Sequence, residues 1–486
     1  MSNSAPHNVS QKQRMTIIIS FIIVLSSLVS IFISTKNYKT GLLVIGGIFF
    51  LSILILSVYN FVFGFYATMT FAFFAWTINR AFASADLPIA LVVEVPAYTT
   101  LLGLIINKWD IKDTLFNYSK NIVAYSMLGY FIFLCLELFN PEMHSFEGWS
   151  IFIRRFLLIL VSFFIALHVF ETTRRIVTFF KFWIILALLS GLYACKQQWF
   201  GLFDFELNLI QFDSKKLGLL LIGGVLRKSS LFSDPATFGI TMAASFSLIL
   251  VLLLSGVTKN MKLKLLLINL VILLGVAYSG TRTAYFIIIS GIFLYVLITI
   301  NQFRTLVFSV IALFAFLLLI YLPIYSNITI NRIRSTFEFS DDASLNVRDR
   351  NRSSIQPYIH EHAFGGGLNT CGSIGAKYNP GHILAGFPPD SGYVKAAIET
   401  GWVGLFLLCI IYFITLQYGL VTYFKCKNKI LKIYVFASVV CIFTFVIAQY
   451  GQEATDQIPG FFLFYSCFAV IIKSRYIDEK LNQTVL

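Results

Sequence analysis

The chain has 486 residues, of which 58% are hydrophobic, 16% aromatic and only 12% charged. Soluble domains average about 25% charged residues, so a soluble chain of this composition would expose large apolar patches and aggregate. The net charge of +14 would suggest nucleic acid in a soluble protein, but the basic residues lie at the ends of apolar segments, as in membrane proteins. The composition indicates an integral membrane protein and excludes a nucleic-acid partner.

The seven cysteines show neither a CxxC pair nor the spacing of a metal site. Six of them lie in or beside apolar runs, where cysteine acts as a small core residue. Cys371 alone lies in a long polar loop, and the sequence offers no disulfide partner for it. We therefore predict no metal site and no cofactor.

A membrane-spanning helix needs about 20 predominantly apolar residues. About fourteen segments meet this requirement, and the short break at Tyr59–Phe63 extends the range to 12–14. The expected fold is an all-α polytopic membrane protein. The predicted spans are 15–34, 41–59, 61–80, 87–107, 121–139, 151–170, 176–196, 231–256, 263–279, 283–302, 305–325, 392–420, 430–450 and 457–473.

Basic residues mark one end of alternate spans, and the positive-inside rule makes that side cytoplasmic. Both termini are then cytoplasmic, with exceptions at Lys36, Lys39 and Arg80, which fall on the outer side. The predicted order is a tail at 1–14, eleven spans within 15–325, a large outer loop at 326–391, three spans within 392–473 and a tail at 474–486. The inner basic residues are Lys108, Lys112, Lys120, Arg174, Arg175, Lys259, Lys262, Lys264, Arg304, Lys425, Lys427, Lys429, Lys432, Lys473, Arg475 and Lys480.

The large loop is too long for a simple connection, which indicates a functional segment. It contains Gly365-Gly366-Gly367 and several aromatic and apolar residues, so it is not of low complexity. We expect the loop to fold onto the outer ends of the helices.

A second set of arginines lies at the outer face, against the positive-inside bias. An arginine costs about 2.5–3.5 kcal/mol at the centre of a spanning helix and less near the interface, so arginines at several outer helix ends call for a partner. Arginine is always charged and can offer two parallel hydrogen bonds to phosphate, whereas the alternative is contact with lipid headgroups. The pattern therefore predicts an anionic ligand at this boundary. The set comprises Arg154, Arg155, Arg227, Arg282, Arg332, Arg334, Arg348, Arg350 and Arg352.

Two helix starts lie near these arginines. Ser233-Asp234-Pro235 can begin the eighth span, with Asp234 as a cap or an orienter of arginine. Asp390 and Ser391 can cap the twelfth span. Glu399 lies just over two turns further in, where an acidic residue is a functional candidate by default.

These segments resemble the bacterial O-antigen ligase and O-antigen polymerase superfamily over residues 220–410. The resemblance is carried by the order, spacing and common side of four pieces. They are Arg227 with Phe232-Ser233-Asp234-Pro235; Gly280-Thr281-Arg282-Thr283-Ala284; Arg350 with Gly365-Gly366-Gly367-Leu368-Asn369-Thr370; and Asp390-Ser391-Gly392-Tyr393 with Glu399-Thr400-Gly401-Trp402-Val403-Gly404.

The resemblance implies a GT-C type glycosyltransferase of the bacterial inner membrane. Such an enzyme takes an undecaprenyl-diphosphate-linked glycan as donor on the periplasmic face, without a metal. The acceptor is another glycan or lipid A core, and membrane lipids and a chain-length regulator are further partners. By this resemblance Arg227, Arg282 and Arg350 bind the diphosphate, and Arg348 and Arg154 are further candidates from the outer set.

The resemblance leaves the reaction open between polymerase and ligase. Ligases carry a His-Asn pair where the large loop re-enters the membrane, and Asp390-Ser391 stands there instead, which favours an O-antigen or exopolysaccharide polymerase. The alternatives are a ligase that transfers glycan to lipid A core or protein, and a transporter of a lipid-linked sugar. The candidates for the catalytic base are His382, Asp390 and Glu399.

Overall fold

The computed structural model describes residues 38–82, 89–108, 120–211, 224–255, 259–321, 328–334 and 343–483, with parts of 20–31 and the short pieces 220–222 and 336–337. Thirteen helices in the described part are long and apolar enough to cross a membrane. The only sheet in the described part is a hairpin with two residues in each strand. The predicted all-α polytopic membrane fold is confirmed.

The helices follow the predicted spans from the second to the fourteenth, whereas the first span, 15–34, lies largely outside the described residues. The last helix continues past 473 into the predicted tail. The spanning helices are α1 (Tyr38–Tyr59), α2 (Phe61–Ala81), α3 (Ile89–Asn107), α4 (Ile122–Leu136), α5 (Phe146–Val169), α6 (Thr173–Trp199), α8 (Pro235–Leu254), α9 (Lys259–Ser279), α10 (Arg282–Thr299), α11 (Phe303–Tyr321), α15 (Gly392–Lys425), α16 (Lys429–Gly451) and α17 (Gly460–Gln483).

Shorter elements lie between these helices, and three of them belong to the large loop. A 3₁₀ turn, Glu137–Phe139, extends α4. The other short elements are α7 (Asp204–Gln211), the hairpin strands β1 (Leu221–Ile222) and β2 (Val225–Leu226), and the loop helices α12 (Ile328–Arg334), α13 (Ala343–Glu361) and α14 (Gly372–Tyr378).

Two helices form the centre of the bundle. In α8 and α17, 83% and 89% of the residues in the most apolar stretch are buried inside the protein. The corresponding shares in α1 and α11 are 11% and 6%. Small residues let α8 approach its neighbours closely, as where Gly291 of α10 packs on Ser247. The outer helices α1 and α11 instead present leucine, isoleucine and phenylalanine side chains outward, as helices that face lipid do.

The start of α8 is built as the sequence predicts. Asp234 Oδ1 accepts hydrogen bonds from the backbone N–H groups of Ala236 and Thr237, both at 2.9 Å, and Pro235 follows as the first helical residue. The start of α15 differs from the prediction. Ser391 stands at the cap position, but its hydroxyl donates to the Gln449 carbonyl at 3.1 Å.

Asp390 does not cap α15 either. Its carboxylate accepts a hydrogen bond of 2.9 Å from Asn351 of α13. Asp390 is therefore not the cap, and Ser391 occupies the predicted cap position without a side-chain hydrogen bond to the helix, because neighbouring elements engage both side chains.

The large loop packs on the helix ends through a break in α15. Gly401 has φ 65° and ψ −176°, which ends the first part of the helix and frees the carbonyl groups before it. The backbone N–H groups of Gly366 and Gly367 donate to the carbonyl groups of Ile398 and Glu399, both at 2.9 Å. The glycine run therefore replaces the helical hydrogen bonds that the break removes.

The same loop also contacts the first turn of α5 and the connection that precedes it. Asn369 Nδ2 donates to the Gly148 carbonyl at 2.9 Å, and Asn140 Nδ2 donates to the Gly365 carbonyl at 3.2 Å. These contacts fix the loop on one end of the bundle, which we call the loop-bearing face.

Candidate functional site

Two arginines hold the turn between α9 and α10. Arg227, which follows β2, donates through Nε to the Ser279 carbonyl and through Nη2 to Thr281 Oγ1, both at 2.9 Å. Arg332 of α12 donates through Nε to the Gly280 carbonyl at 2.5 Å. Gly280 has φ 57°, and a Cβ there would lie 3.0 Å from Arg332 Nε, so glycine allows the close approach. The turn that begins α10 is thus fixed between two guanidinium groups.

Four arginines form a row at the loop-bearing face. The charges of Arg227 and Arg332 repel, as do those of Arg332 and Arg282 and those of Arg282 and Arg348. We call these four residues the arginine row. Like charges are gathered there at the ends of α9, α10, α12 and α13.

Burial and repulsion lower the pKa of two members of the row, Arg227 and Arg332. Burial, followed by the charge of Arg332, lowers the pKa of Arg227 to about 10. Burial, followed by the charge of Arg282, lowers the pKa of Arg332. The negative charge of Asp234 attracts Arg227. The Asp234 carboxylate, however, already caps α8 and accepts hydrogen bonds from the hydroxyl groups of Ser233 and Thr237. An anion bound at the row would relieve this repulsion.

A cavity of about 320 Å³ opens at the end of the row, and we call it the loop cavity. Its volume is within the range of about 300–1,000 Å³ that is usual for ligand pockets. Arg348 lines the cavity and is also a member of the arginine row. The lining residues are Asp234, Thr237, Arg348, Pro388, Pro389, Asp390, Ser391, Gln452, Glu453 and Gln457.

Two of the predicted base candidates line neighbouring cavities. Asp390 lines the loop cavity, and its φ of 53° lies in the left-handed region, which Asp adopts more readily than most L-residues. Glu399 is 2% exposed and lines a smaller cavity of about 70 Å³, where it accepts a hydrogen bond from Cys371 Sγ at 3.1 Å. Glu453 lines both cavities and pairs with Lys395 at 2.9 Å.

The third candidate, His382, lies apart. It is buried in the large loop beside Gly366 and His144, and it lines neither of the two cavities. The structure therefore brings Asp390 to the arginine row, places Glu399 one cavity away, and separates His382 from both.

Residues 266–409 match a protein-family model described as O-antigen ligase. The predicted resemblance to the O-antigen ligase and polymerase superfamily is confirmed. A search of curated proteins finds no match to the chain. The matched stretch contains Arg282, Arg332 and Arg348 of the row, together with Asp390 and Glu399.

The five arginines predicted to bind diphosphate do not all lie together in the structure. Arg227, Arg282 and Arg348 lie in the row, whereas Arg350 is exposed on another side of α13. Arg154 lies on α5 and pairs with Glu94 of α3 at 3.1 Å, and neither cavity includes it. Its predicted role in binding diphosphate receives no support from this position.

Two residues of the candidate site were named from the sequence only as part of a set or as an exception. Arg332 was one of nine outer arginines, and nothing in its spacing distinguished it. Arg80 stood out as an exception to the charge rule, and the structure explains it. Its Nη2 donates to the carbonyl groups of Ser230 and Phe232, at 2.9 and 2.6 Å, and thereby fixes the segment that follows Arg227.

Two half-buried ion pairs border the smaller cavity. Arg155, rather than Arg154, reaches it through Asp456 at 3.2 Å, and Lys395 reaches it through Glu453. Within the described residues, no group of three or more His, Cys, Asp and Glu side chains is placed to hold a metal ion.

Proposed function

We propose that the protein is a glycosyltransferase of the bacterial inner membrane that polymerises undecaprenyl-diphosphate-linked repeat units on the periplasmic face. The observation that carries this proposal is the arginine row beside the loop cavity. The match to the O-antigen ligase family supports it. In this proposal the loop-bearing face is periplasmic and both termini are cytoplasmic.

The chemistry follows from the leaving group. The bond between the donor's anomeric carbon and the phosphate oxygen breaks, and the diphosphate keeps the electron pair. Guanidinium groups that are already fixed beside those oxygens stabilise the developing charge without reorganisation. The row meets this requirement, because contacts with the Gly280 turn hold Arg227 and Arg332 in place.

The acceptor hydroxyl attacks the anomeric carbon and loses its proton to a base. We assign this role to Asp390, because it lines the same cavity as Arg348. Glu399 is the second choice, since it is almost fully buried and lines the smaller cavity, which contains no member of the arginine row. A carboxylate fixed close to the attacking hydroxyl contributes about 10²–10⁴-fold as a general base.

A ligase is the second candidate, because the matched family model is described as O-antigen ligase. It would use the same row and cavity and would differ only in its acceptor, lipid A core or protein. A transporter would need charged groups along a path through the membrane. The row instead lies at one end of the bundle, which favours bond formation at that end.

Gel analysis of surface polysaccharide in a deletion strain tests the proposal. We expect a single repeat unit in place of the polymer ladder. Polymer that accumulates on its polyprenyl carrier would instead identify a ligase. Two results together would contradict the glycosyltransferase proposal. The surface polysaccharide would be unchanged, and the purified protein in vesicles would move a lipid-linked glycan across the membrane without forming a glycosidic bond.

Two arginines on α13 offer a matched pair. Arg348→Ala is expected to lower the transfer rate by about 10²–10³-fold, the usual loss when one fixed donor to a developing anion is removed. Arg350→Ala, two residues away and exposed, is expected to stay near the wild-type rate. Both rates are measured on purified protein with the lipid-linked glycan from the deletion strain. Equal losses of rate in the two variants would contradict the assignment of Arg348, and not Arg350, to the diphosphate site.

A further inference from the structure

The large loop holds a second group of polar side chains, apart from both cavities. The buried ring of His382 lies 5.4 Å from the ring of His144, and Tyr358 of α13 stacks on His362 at 4.0 Å. Gly366 lies between His382 and Tyr358. A Cβ at Gly366 would approach Tyr358 Oη to 2.6 Å and His382 Cε1 to 2.7 Å. The glycine therefore lets the two side chains converge.

Hydrogen bonds fix the orientation and the tautomer of His382. Its Nδ1 accepts the backbone N–H of Leu384 at 3.1 Å, and its own backbone N–H donates to the Asn379 carbonyl at 3.0 Å. A neutral imidazole carries one proton, and the bond made by one nitrogen decides where that proton sits. Because Nδ1 accepts, the proton of the neutral ring lies on Nε2.

The surroundings of His382 keep the ring neutral. Burial, followed by the charge of His144, lowers its pKa. The charged and titratable groups that face it are Glu142, His144 and His362, and only Glu142 favours the protonated form. The ring therefore presents a neutral N–H donor at Nε2.

Two neighbouring polar atoms have no hydrogen-bond partner among the described residues. They are His382 Nε2, on a side chain that is 5% exposed, and Tyr358 Oη. Buried polar groups in native proteins nearly always have a partner. Two such groups beside one glycine, one of them a fixed donor, form a site for an oxygen atom.

We propose that His382 and Tyr358 bind an oxygen atom of the acceptor glycan, either a sugar hydroxyl or an acetamido carbonyl, and that His382 is not the catalytic base. This inference rests on the proposed function, because it assigns the acceptor of that reaction. A base must turn a lone pair toward the reacting hydroxyl. In His382, Nδ1 is occupied by Leu384 and Nε2 carries the proton. The acceptor proton then goes to a carboxylate, as assigned to Asp390.

The test compares His382→Gln with His382→Leu in the full-length purified protein, with the lipid-linked glycan from the deletion strain as substrate. Glutamine keeps an N–H donor at the reach of Nε2 but cannot act as a base, and leucine keeps neither. We expect the kcat of His382→Gln to stay within about 10-fold of wild type, with the same dependence of kcat on pH. His382→Leu and Tyr358→Phe should raise the KM for this glycan, which serves as both donor and acceptor, by about 2- to 13-fold, the usual effect of one lost hydrogen bond.

Several outcomes would overturn the inference. A fall of about 10²–10⁴-fold in the kcat of His382→Gln, with loss of one limb of the pH profile, would identify His382 as a base. An unchanged KM in Tyr358→Phe with a lower Tm would show that the two groups hold only a structural water. Tyr358→Phe keeps the stack on His362, so it remains informative if the His382 variants unfold. Wild-type protein that forms no bond with this glycan would overturn the proposed function itself, and the inference with it.

Discussion

Arg227→Ala and Arg282→Ala are each expected to abolish polymer in cells while the protein remains in the membrane. Each variant removes one guanidinium group from the arginine row. With purified protein, the transfer rate should fall by about 10²–10³-fold per variant, because charge on the leaving diphosphate would lose a fixed donor. Arg227→Lys should also impair transfer, since lysine cannot reproduce the two bonds to Ser279 and Thr281.

The control for these variants is Arg304→Ala. Arg304 is exposed at the start of α11, on the side predicted to be cytoplasmic, and its removal should leave glycan output unchanged. Pyrophosphate should raise the Tm of the wild-type protein, and the shift should shrink in Arg227→Ala because the bound anion would lose a partner. Normal polymer from cells that carry either Arg227→Ala or Arg282→Ala would rule out the diphosphate site.

Gly401→Ala is expected to release the large loop and abolish activity. The backbone of Gly401, at φ 65° and ψ −176°, lies in a region that is essentially restricted to glycine, at a cost of about 1–3 kcal/mol for other residues. An added Cβ would also overlap the carbonyl group of Ala363 and lie 2.6 Å from the nitrogen of Gly365. The loop should then become sensitive to protease, which limited digestion of the purified protein measures.

Gly381→Ala is the matched control in the same loop. A Cβ at Gly381 would meet nothing within 4 Å, and its φ is not positive. This variant should keep wild-type activity and protease resistance. If Gly401→Ala behaved in the same way, the docking of the glycine run in the break of α15 would be wrong.

The spans could be predicted because length and apolar character alone define a membrane helix. Thirteen of the predicted segments coincide with described helices. The break in α15 could not be predicted, since Gly401-Trp402-Val403-Gly404 continues an apolar run. Hydrogen bonds to a segment more than thirty residues earlier stabilise the break: Gly366 and Gly367 donate to α15, and Val403 donates to the Ala363 carbonyl.

The site could be predicted as a set of residue types but not as a geometry. The charge rule singled out the outer arginines, because each one opposes the bias of membrane insertion. It could not separate Arg348 from Arg350, which lie about 200° apart around α13. Packing against the end of α16, where Arg348 reaches the Gly451 carbonyl at 3.4 Å, makes that choice. The hydrogen bond from Cys371 to Glu399 likewise depends on how the large loop folds back onto α15.

The position of α17 constrains the order in which the bundle can assemble. It emerges from the ribosome after the other described helices, yet it is among the most enclosed, packed against α5, α15 and α16. Until it is inserted, these helices must leave an open seam that lipid or an insertion factor fills. The bundle therefore cannot close span by span during synthesis, and a chain shortened within α17 would leave the inner surfaces of α5 and α16 exposed to lipid.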